Sequence, residues 1–538
     1  MKLHRSGQKQ KNMFLNDALL FKAAQDLPTN LLSEFEGIGA FVSGRDAWEL
    51  ARLANSCSPQ LRRHDDWGQP IEKIDMHPAY HSLLQYSYQI GLANSLWERR
   101  AGESGVRYQA RAIRLFMMAT LESGHLSGIS STSAGIAALI GESDLFKEWQ
   151  TKLLGRKYDQ SVRNFVHKDS VMLTFSFSQK FENSINEPNV LTTFNGFDDR
   201  YARDSYSVTG QHCRISNPNS DGIFIATEIQ GEPSCLFIPR FSNVNNERQY
   251  FIENLIPQAG MTSRPLANVK FDTSHAWLVG QKGHGRKIVN DIETMLRFDQ
   301  AIISAGILRR ILDFGITLFR SKGSQQNSGI TERVFADMAL DVAAAEALIM
   351  RLAYAFDTAA QDKREAAFAR IMTPVISYWI SNLVTPICAE TIAQSGSDAF
   401  YNDSPLTRIL NDSSSWILER NDCNRQVYDV IRAAQRAPGL FLETITMMGE
   451  AIGNDNTRAV EVLKAVTQVS VNDPSTGRLL VEQMAYTAAT AALMTFEITP
   501  VINSFIESRL AGQWRSSYGT LSARHNARQI IDLLYPHV

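Results

Sequence analysis

Two histidines, His77 and His81 in the stretch HPAYH, are four residues apart, a spacing that allows one helix face to hold a metal ion. Pro78 favours a helix that begins at this point, with His77 at its very start. No third ligand lies nearby in the sequence. We therefore expect no metal site in this protein.

Glycine- and serine-rich stretches are the next candidates for chemistry. GQKGHG at 280–285 precedes a helical pattern, but it matches neither the dinucleotide fingerprint nor the phosphate-binding loop, so a structural turn is expected. SGISSTSAG at 127–135 contains no nucleophile elbow of the GxSxG type. These serines are expected to pack inside the protein, and a hydrolase is not favoured.

The elements that must position such residues follow from the periodicity of the apolar residues. Residues 45–168 show a helical period, and residues 170–280 change to short runs rich in β-branched and aromatic residues. From about 286 the helical period returns, with long helices predicted over 334–357 and roughly 366–395. Segregated strands and helices predict an α+β multidomain chain.

Composition narrows the class of protein. The chain has 538 residues and a formal net charge of -2, so no global field attracts nucleic acid or an anionic membrane. Neither a secretory signal nor a membrane-spanning run is predicted. The five cysteines are widely spaced without a CxxC pair, which predicts free thiols and a cytoplasmic location.

Three stretches resemble a known family. RLANSCSPQLRRHDDWGQPIEKIDMHPAYHSLL (52–84), YSVTGQHCRISNPNSDGIFIATEIQGEPSCLFIPRF (206–241) and WLVGQKGHGRKIV (277–289) resemble the acyl-CoA dehydrogenase superfamily, in particular its AidB-like branch. The resemblance implies an N-terminal helical domain, a middle β-barrel-like domain, a helical bundle and a C-terminal helical domain. It also implies a homo-oligomer, a dimer or tetramer, in which a neighbouring subunit completes the flavin pocket.

The resemblance and the periodicity together predict domain boundaries. The predicted segments are an N-terminal extension, the N-terminal helical domain, the β domain, the bundle and the C-terminal helical domain, at 1–44, 45–169, 170–285, 286–435 and 436–538.

The positions that hold FAD in the family carry other residues here. Where the family has Met-Thr-Glu and then Gly-Gly-Ser-Asp, this chain has Phe177, Ser178 and Gln179, followed by Glu182-Asn183-Ser184-Ile185. The glycines that allow a close backbone approach are absent. Ser178 and Ser184 are the hydroxyls that remain.

Further cofactor positions are implied by the same register. A Trp-Phe-x-Ser run over the flavin ring corresponds to Cys213-Arg214-Ile215-Ser216. The family arginine is retained as Arg320 without its Phe-Gly partner, and a Gly-Gly-x-Gly turn is reduced to Gly396. Asn424 ends the segment that carries the family's catalytic base.

At the position of that base the register places Arg420, with Glu419 beside it. A guanidinium cannot accept a proton at neutral pH, and one residue along a helix is a rotation of about 100°. Glu419, Arg420 and Arg214 are therefore the candidate catalytic residues of an altered site. FAD is expected to bind in an unusual manner or not at all, unless backbone contacts alone suffice.

Three functions remain open at this stage. The first is a conventional FAD-dependent dehydrogenase or oxidase, and the second is an enzyme on the same fold that acts on a small organic or acyl-thioester substrate in specialised metabolism without a flavin. The third is a non-catalytic or DNA-binding AidB relative. Residues 426–538 hold nine Lys and Arg against ten Asp and Glu, so we expect no nucleic-acid partner and favour an enzyme.

Overall fold

The computed structural model describes most of the chain. The described residues are 12–98, 103–176, 190–242, 246–321, 329–399, 401, 404–420, 423–453, 456–511 and 517–536, with the backbone alone at 143, 398 and 414–420.

The chain forms two compact units, and each is built from non-contiguous segments. The helical unit comprises Met1–Trp48, Ala101–Leu121 and Arg297–Val538, and the strand-rich unit comprises Glu49–Arg100 and Glu122–Leu296. The five predicted segments follow chain order instead, and their boundaries remain a prediction.

Helices make up most of the described secondary structure. In chain order they are α1 (Met13–Asn16), α2 (Ala18–Ala24), α3 (Thr29–Ser43), α4 (Arg45–Ala54), α5 (Pro78–Gln89), α6 (Arg107–Leu121), α7 (Leu126–Leu139), α8 (Ser143–Leu153), α9 (Gly285–Ser321), α10 (Gly329–Thr358), α11 (Lys363–Ser395), α12 (Pro405–Arg420), α13 (Cys423–Arg436), α14 (Pro438–Ile452), α15 (Thr457–Asn472), α16 (Gly477–Met494), α17 (Thr499–Phe505) and α18 (Ala527–Leu534).

The strand-rich unit contains one large sheet and one hairpin. The strands are β1 (Gln60–His64), β2 (Pro70–Asp75), β3 (Leu173–Ser176), β4 (Leu191–Asp198), β5 (Arg203–Ser216), β6 (Gly222–Ile229), β7 (Glu232–Pro239), β8 (Tyr250–Leu255) and β9 (Leu266–Val279). In the large sheet the order is β3-β6-β7-β9-β5-β4, with β8 also paired to β9. Among the strands of the described residues, only the β3–β6 pairing is parallel.

Each unit has its own core. In the sheet, inward residues such as Val208, Ile225 and Val269 are fully buried, as the alternation of strand side chains requires. In the helical unit, α10 buries apolar residues on nearly every side, which is the pattern of a central helix. These separate cores confirm the α+β multidomain class.

Helix α11 is long and apolar enough to cross a membrane by length and composition, but 72% of its most apolar window is buried inside the protein. A core helix passes the same test. Pro374 and Pro386 lie inside this helix, which continues through both of them. The sequence predicted a kink or a later start at Pro374.

Two local differences from the sequence prediction have clear causes. The β1–β2 hairpin occurs in a region predicted to be helical, and most of its residues are polar, so it shows little apolar alternation. The predicted helix over about 479–509 breaks between α16 and α17. Glu497 adopts a left-handed φ of 54° there, and Pro500 lies in the first turn of the next helix.

Candidate cofactor- and substrate-binding residues

The strand that leads to the predicted flavin edge is β3. Its last residue, Ser176, has its hydroxyl 2.6 Å from Nδ1 of His212 on β5. The predicted residues that follow, Phe177, Ser178, Gln179 and Ser184, lie outside the described residues.

Cys213 and Arg214 lie on a β-bulge. The register between β5 and β9 shifts between His212 and Ile215, and Arg214 has a left-handed φ of 58°. A non-glycine residue in this region costs about 1–2 kcal/mol. The amide of Arg214 donates to Oδ1 of Asn268 at 3.2 Å. The bulge leaves the Cys213 and Arg214 side chains exposed.

Ser216 belongs to a polar cluster inside the strand-rich unit. Its hydroxyl lies 3.0 Å from the hydroxyl of Ser127 on α7, and its carbonyl accepts from Oγ1 of Thr174 at 2.6 Å. Nδ2 of Asn217 also donates to Ser127 Oγ at 3.2 Å. The serine at the position of a family flavin contact therefore forms hydrogen bonds with other groups of this protein.

Arg320, near the end of α9, forms an ion pair with Asp532 of α18. The Nη2 to Oδ1 distance is 2.7 Å, and the Arg320 side chain is largely buried. Burial lowers the pKa of Arg320, while the hydrogen bond to Asp532 opposes that shift. The retained family arginine thus has a carboxylate partner within its own unit.

Asn424 also forms hydrogen bonds within the helical unit. Its Oδ1 accepts from Nη2 and Nε of Arg478, at 2.9 and 3.3 Å. Gly396 follows the end of α11, where its φ of 76° closes the helix. A left-handed residue at this position explains why a glycine is kept, without reference to a cofactor.

Glu419 and Arg420 are the last two residues of α12. Their backbone is helical, and one residue along a helix is a rotation of about 100°. The side chains themselves lie outside the described residues.

The HPAYH histidines both contact protein groups. His77 caps α5, because its Nδ1 accepts the amide of Ala79 at 3.1 Å. Nδ1 of His81 lies 2.8 Å from the hydroxyl of Tyr158. Within the described part of the chain no group of three or more His, Cys, Asp and Glu residues is arranged to hold a metal ion.

A buried relay in the strand-rich unit was not predicted from the sequence. Nδ1 of His125 lies 2.7 Å from Oε2 of Glu122, and its Nε2 lies 3.0 Å from Oγ of Ser87. Nδ1 of His125 therefore faces the carboxylate, and Nε2 faces the serine hydroxyl. The order resembles that of a serine hydrolase, but all three side chains are at most 2% exposed, so the relay is structural.

The sequence contains a signal for this relay. Glu122 and His125 are three residues apart in ESGH, at the end of a helical pattern, where a carboxylate can accept free amides. Gly124 between them is required by space, because a Cβ there would lie 1.9 Å from Oγ of Ser263.

Comparisons with known proteins define the class. Residues 6–160 match the family model of the adaptive response protein AidB N-terminal domain, and residues 283–416 match that of the acyl-CoA dehydrogenase C-terminal domain. The chain belongs to the acyl-CoA dehydrogenase superfamily, which confirms the fold implied by the resemblance.

Within this superfamily the chain is AidB-like. It is 27% identical to the putative acyl-CoA dehydrogenase AidB of Escherichia coli (strain K12) over 505 residues, which cover 93% of this chain and 92% of that protein.

Solved structures show the same fold at low identity. Caenorhabditis elegans ACDH-11 in complex with C11-CoA has a TM-score of 0.81 at 16% identity, covering 95% of this chain and 94% of that one. An acyl-CoA dehydrogenase of Bacillus anthracis complexed with FAD has a TM-score of 0.63 at 13% identity, covering 91% and 84%.

Proposed function

We propose that this AidB-like protein is an enzyme with an altered flavin site. It acts on a small organic or acyl-thioester substrate in specialised metabolism, in the cytoplasm, as a homodimer or homotetramer. FAD is either absent or bound in a manner unlike that of the family.

The observation that carries this proposal is the ion pair between Arg320 and Asp532, at 2.7 Å. In the family the corresponding arginine is followed by a Phe-Gly pair that reaches the adenine-diphosphate half of the flavin. Here a carboxylate occupies its guanidinium, and a phosphate would have to displace that carboxylate at an energetic cost. Asn424 and Ser216 also form hydrogen bonds with other protein groups, which supports an altered flavin site. The described positions fit FAD poorly, so we assign it no chemical step.

The substrate class rests on the relatives. ACDH-11 binds C11-CoA, and E. coli AidB is named as a putative acyl-CoA dehydrogenase. A carboxylate at Glu419 supplies a base, and the guanidinium groups of Arg214 and Arg420 supply charge for an anionic substrate or intermediate.

The visible spectrum of the purified full-length protein tests the proposal. A flavoprotein absorbs at about 450 nm, whereas the altered site should leave the purified protein without one tightly bound FAD per chain, even after incubation with added FAD. A yellow protein with one tightly bound FAD per chain would refute the altered site and establish the conventional FAD-dependent enzyme instead.

Asp532→Asn tests the stated cause. Removal of the charge weakens the hold on Arg320, so this variant should take up more FAD than the parent protein. Asp26→Asn, a change of an exposed acid in the same unit, is the matched control. Equal FAD uptake by the two variants would show that the pairing of Arg320 does not limit cofactor binding.

A further inference from the structure

A small pocket that is partly open to solvent lies wholly within the strand-rich unit. Its wall includes His81 of α5, Tyr158 of the α8–β3 connection, Asn219 of the β5–β6 turn and Arg240 at the end of β7. No predicted cofactor or catalytic residue lines it. An inference about this pocket therefore does not depend on the proposed function.

The buried part of the wall is charged. Lys168 lies 2.9 Å from Oδ1 of Asp221, and both side chains are 4% exposed. Asp159 accepts from the amide and hydroxyl of Ser161 and from the amide of Asp169. These contacts satisfy both carboxylates that line the pocket.

Two other cations line the same wall. The ammonium of Lys73 lies 3.2 Å from Asp75, but Arg62 shares that carboxylate at 3.0 Å. Arg240 is 3% exposed and has no carboxylate within ion-pair distance among the described residues. The pocket therefore has an excess of positive charge, which favours an anionic ligand.

Buried polar atoms of the wall lack partners. Arg240 donates from Nη1 to the carbonyl of Asn219 at 2.9 Å and from Nη2 to the carbonyl of Glu72 at 3.0 Å. Its Nε donor and Oδ1 of Asn219 have no hydrogen-bond partner. Buried groups of this kind are costly unless a ligand or water satisfies them.

His81 supplies a second donor. Burial, and secondarily Lys73, lower the pKa of His81 to about 4, so the ring is neutral at physiological pH. Burial raises the pKa of Tyr158 well above its usual value, so its hydroxyl keeps its proton. If that hydroxyl donates to Nδ1 of His81, the remaining ring proton is on Nε2.

We propose that this pocket binds a small 2-hydroxy carboxylate. The ligand carboxylate accepts from Arg240 Nε and His81 Nε2, and the ligand hydroxyl donates to Asn219 Oδ1. A carboxylate without the hydroxyl leaves Asn219 Oδ1 unpaired, and a neutral amide does not compensate the positive charge.

Binding of glycolate, acetate and glycolamide to the full-length protein, measured by isothermal titration calorimetry, tests the ligand class. Glycolate should bind about tenfold more tightly than acetate, because one buried acceptor is satisfied, and glycolamide should bind weakest. Equal binding of all three, or no binding of glycolate at millimolar concentration, would overturn the proposal.

Two variants locate the site. Asn219→Asp adds a negative charge at nearly constant shape, and His81→Phe removes the ring donors but keeps an aromatic ring against Tyr158. Each should weaken glycolate binding at least about tenfold. The matched controls are Asn195→Asp and His64→Phe, at exposed positions of the same unit.

Circular dichroism confirms that each variant is folded. Glycolate affinity that is unchanged in folded Asn219→Asp and His81→Phe would place the ligand elsewhere and refute this site. The FAD content of the protein is a separate readout, so failure of this proposal and failure of the proposed function are distinguishable.

Discussion

At the scale of single residues, Glu122 is a buried carboxylate that accepts several hydrogen bonds. Its carboxylate accepts from the amides of Gly124 and His125, from Nδ1 of His125, and from the side chains of Asn55 and Ser263, all within 3.1 Å. The contacts with Gly124 and His125 are local, but those with Asn55 and Ser263 join residues far apart in the sequence and show in no helix or strand pattern.

Glu122→Gln should destabilise the protein. The side-chain amide nitrogen of glutamine would replace a carboxylate oxygen that accepts hydrogen bonds. Buried donors would then have no acceptor, at a cost of about 3 kcal/mol. The free energy of unfolding, from urea titration followed by circular dichroism, measures the change. Glu228→Gln, an exposed position on β6, is the control and should stay within about 0.5 kcal/mol of the parent.

The cysteines should differ in reactivity. Burial raises the pKa of Cys235 and of Cys388 to about 12, and nearby carboxylates add to the shift. Cys57 and Cys213 are exposed. Iodoacetamide labelling of the folded protein, read by peptide mass spectrometry, should modify Cys57 and Cys213 and spare Cys235 and Cys388 until denaturant is added. Early labelling of Cys235 would contradict the described burial.

Residue types alone gave part of the candidate site. The substitution of family residues at 177–179 and around Arg420 is visible in the sequence. The ion pair of Arg320 with Asp532 is not visible, because 212 positions separate the two residues. The contact of Asn424 with Arg478 is likewise a product of the tertiary fold.

At the scale of elements, close helix contacts depend on small residues. A Cβ at Gly306 of α9 would lie 2.5 Å from the carbonyl oxygen of Phe116 on α6, and a backbone atom cannot move aside without displacing its helix. Gly37 of α3 has nothing within 4 Å of the same position.

Substitution of glycine by alanine is therefore expected to have opposite effects on stability at Gly306 and Gly37. Gly306→Ala should destabilise by about 1–3 kcal/mol through overpacking. Gly37→Ala should stabilise by about 0.5–1 kcal/mol, because alanine favours a helix interior. Differential scanning calorimetry of the two variants measures both changes. A stabilised Gly306→Ala would show that the two helices are not closely packed.

The helices and strands also show which structural features could be predicted from the sequence. The long helices over 334–357 and 366–395 were predicted, because apolar residues recur with a period that one buried face requires. The β1–β2 hairpin was missed, because its strands are short and mostly polar. The break between α16 and α17 was missed because the turn at Glu497 contains neither glycine nor proline.

At the scale of the whole molecule, a buried cluster joins the beginning, the middle and the end of the helical unit. Asp17 caps α2 and lies 3.2 Å from Nη1 of Arg309, and Glu346 of α10 lies 3.7 Å from that same nitrogen. The Arg309 guanidinium also stacks over the ring of Tyr535 at 4.0 Å. Two carboxylates share one cation, so one of them must keep a proton.

This cluster predicts a pH dependence of stability. Burial, followed by the charge of Asp17, raises the pKa of Glu346 well above its usual value. Below about pH 4.3 both the folded and the unfolded states hold the proton and stability is unaffected. As pH rises from there towards the folded-state pKa, the unfolded state loses its proton first. Stability then falls by about 1.4 kcal/mol per pH unit from this group.

Glu346→Gln should remove that loss. The amide cannot ionise, and it keeps both a donor and an acceptor for its neighbours. The variant and parent should unfold at similar temperatures near pH 4, and the variant at a higher temperature near pH 8. Thermal melts across this range measure the difference. A variant less stable than the parent at pH 8 would show that the buried carboxylate is ionised and stabilising.

The two compact units interrupt one another along the chain, and this arrangement has a consequence for biosynthesis. Asp17 and α2 are synthesised almost 300 residues before their partner Arg309, and Tyr535 follows later still. The strand-rich unit is complete once residue 296 has been synthesised. It is therefore free to fold on the nascent chain, while α2 is accessible to chaperones until its partners have been synthesised.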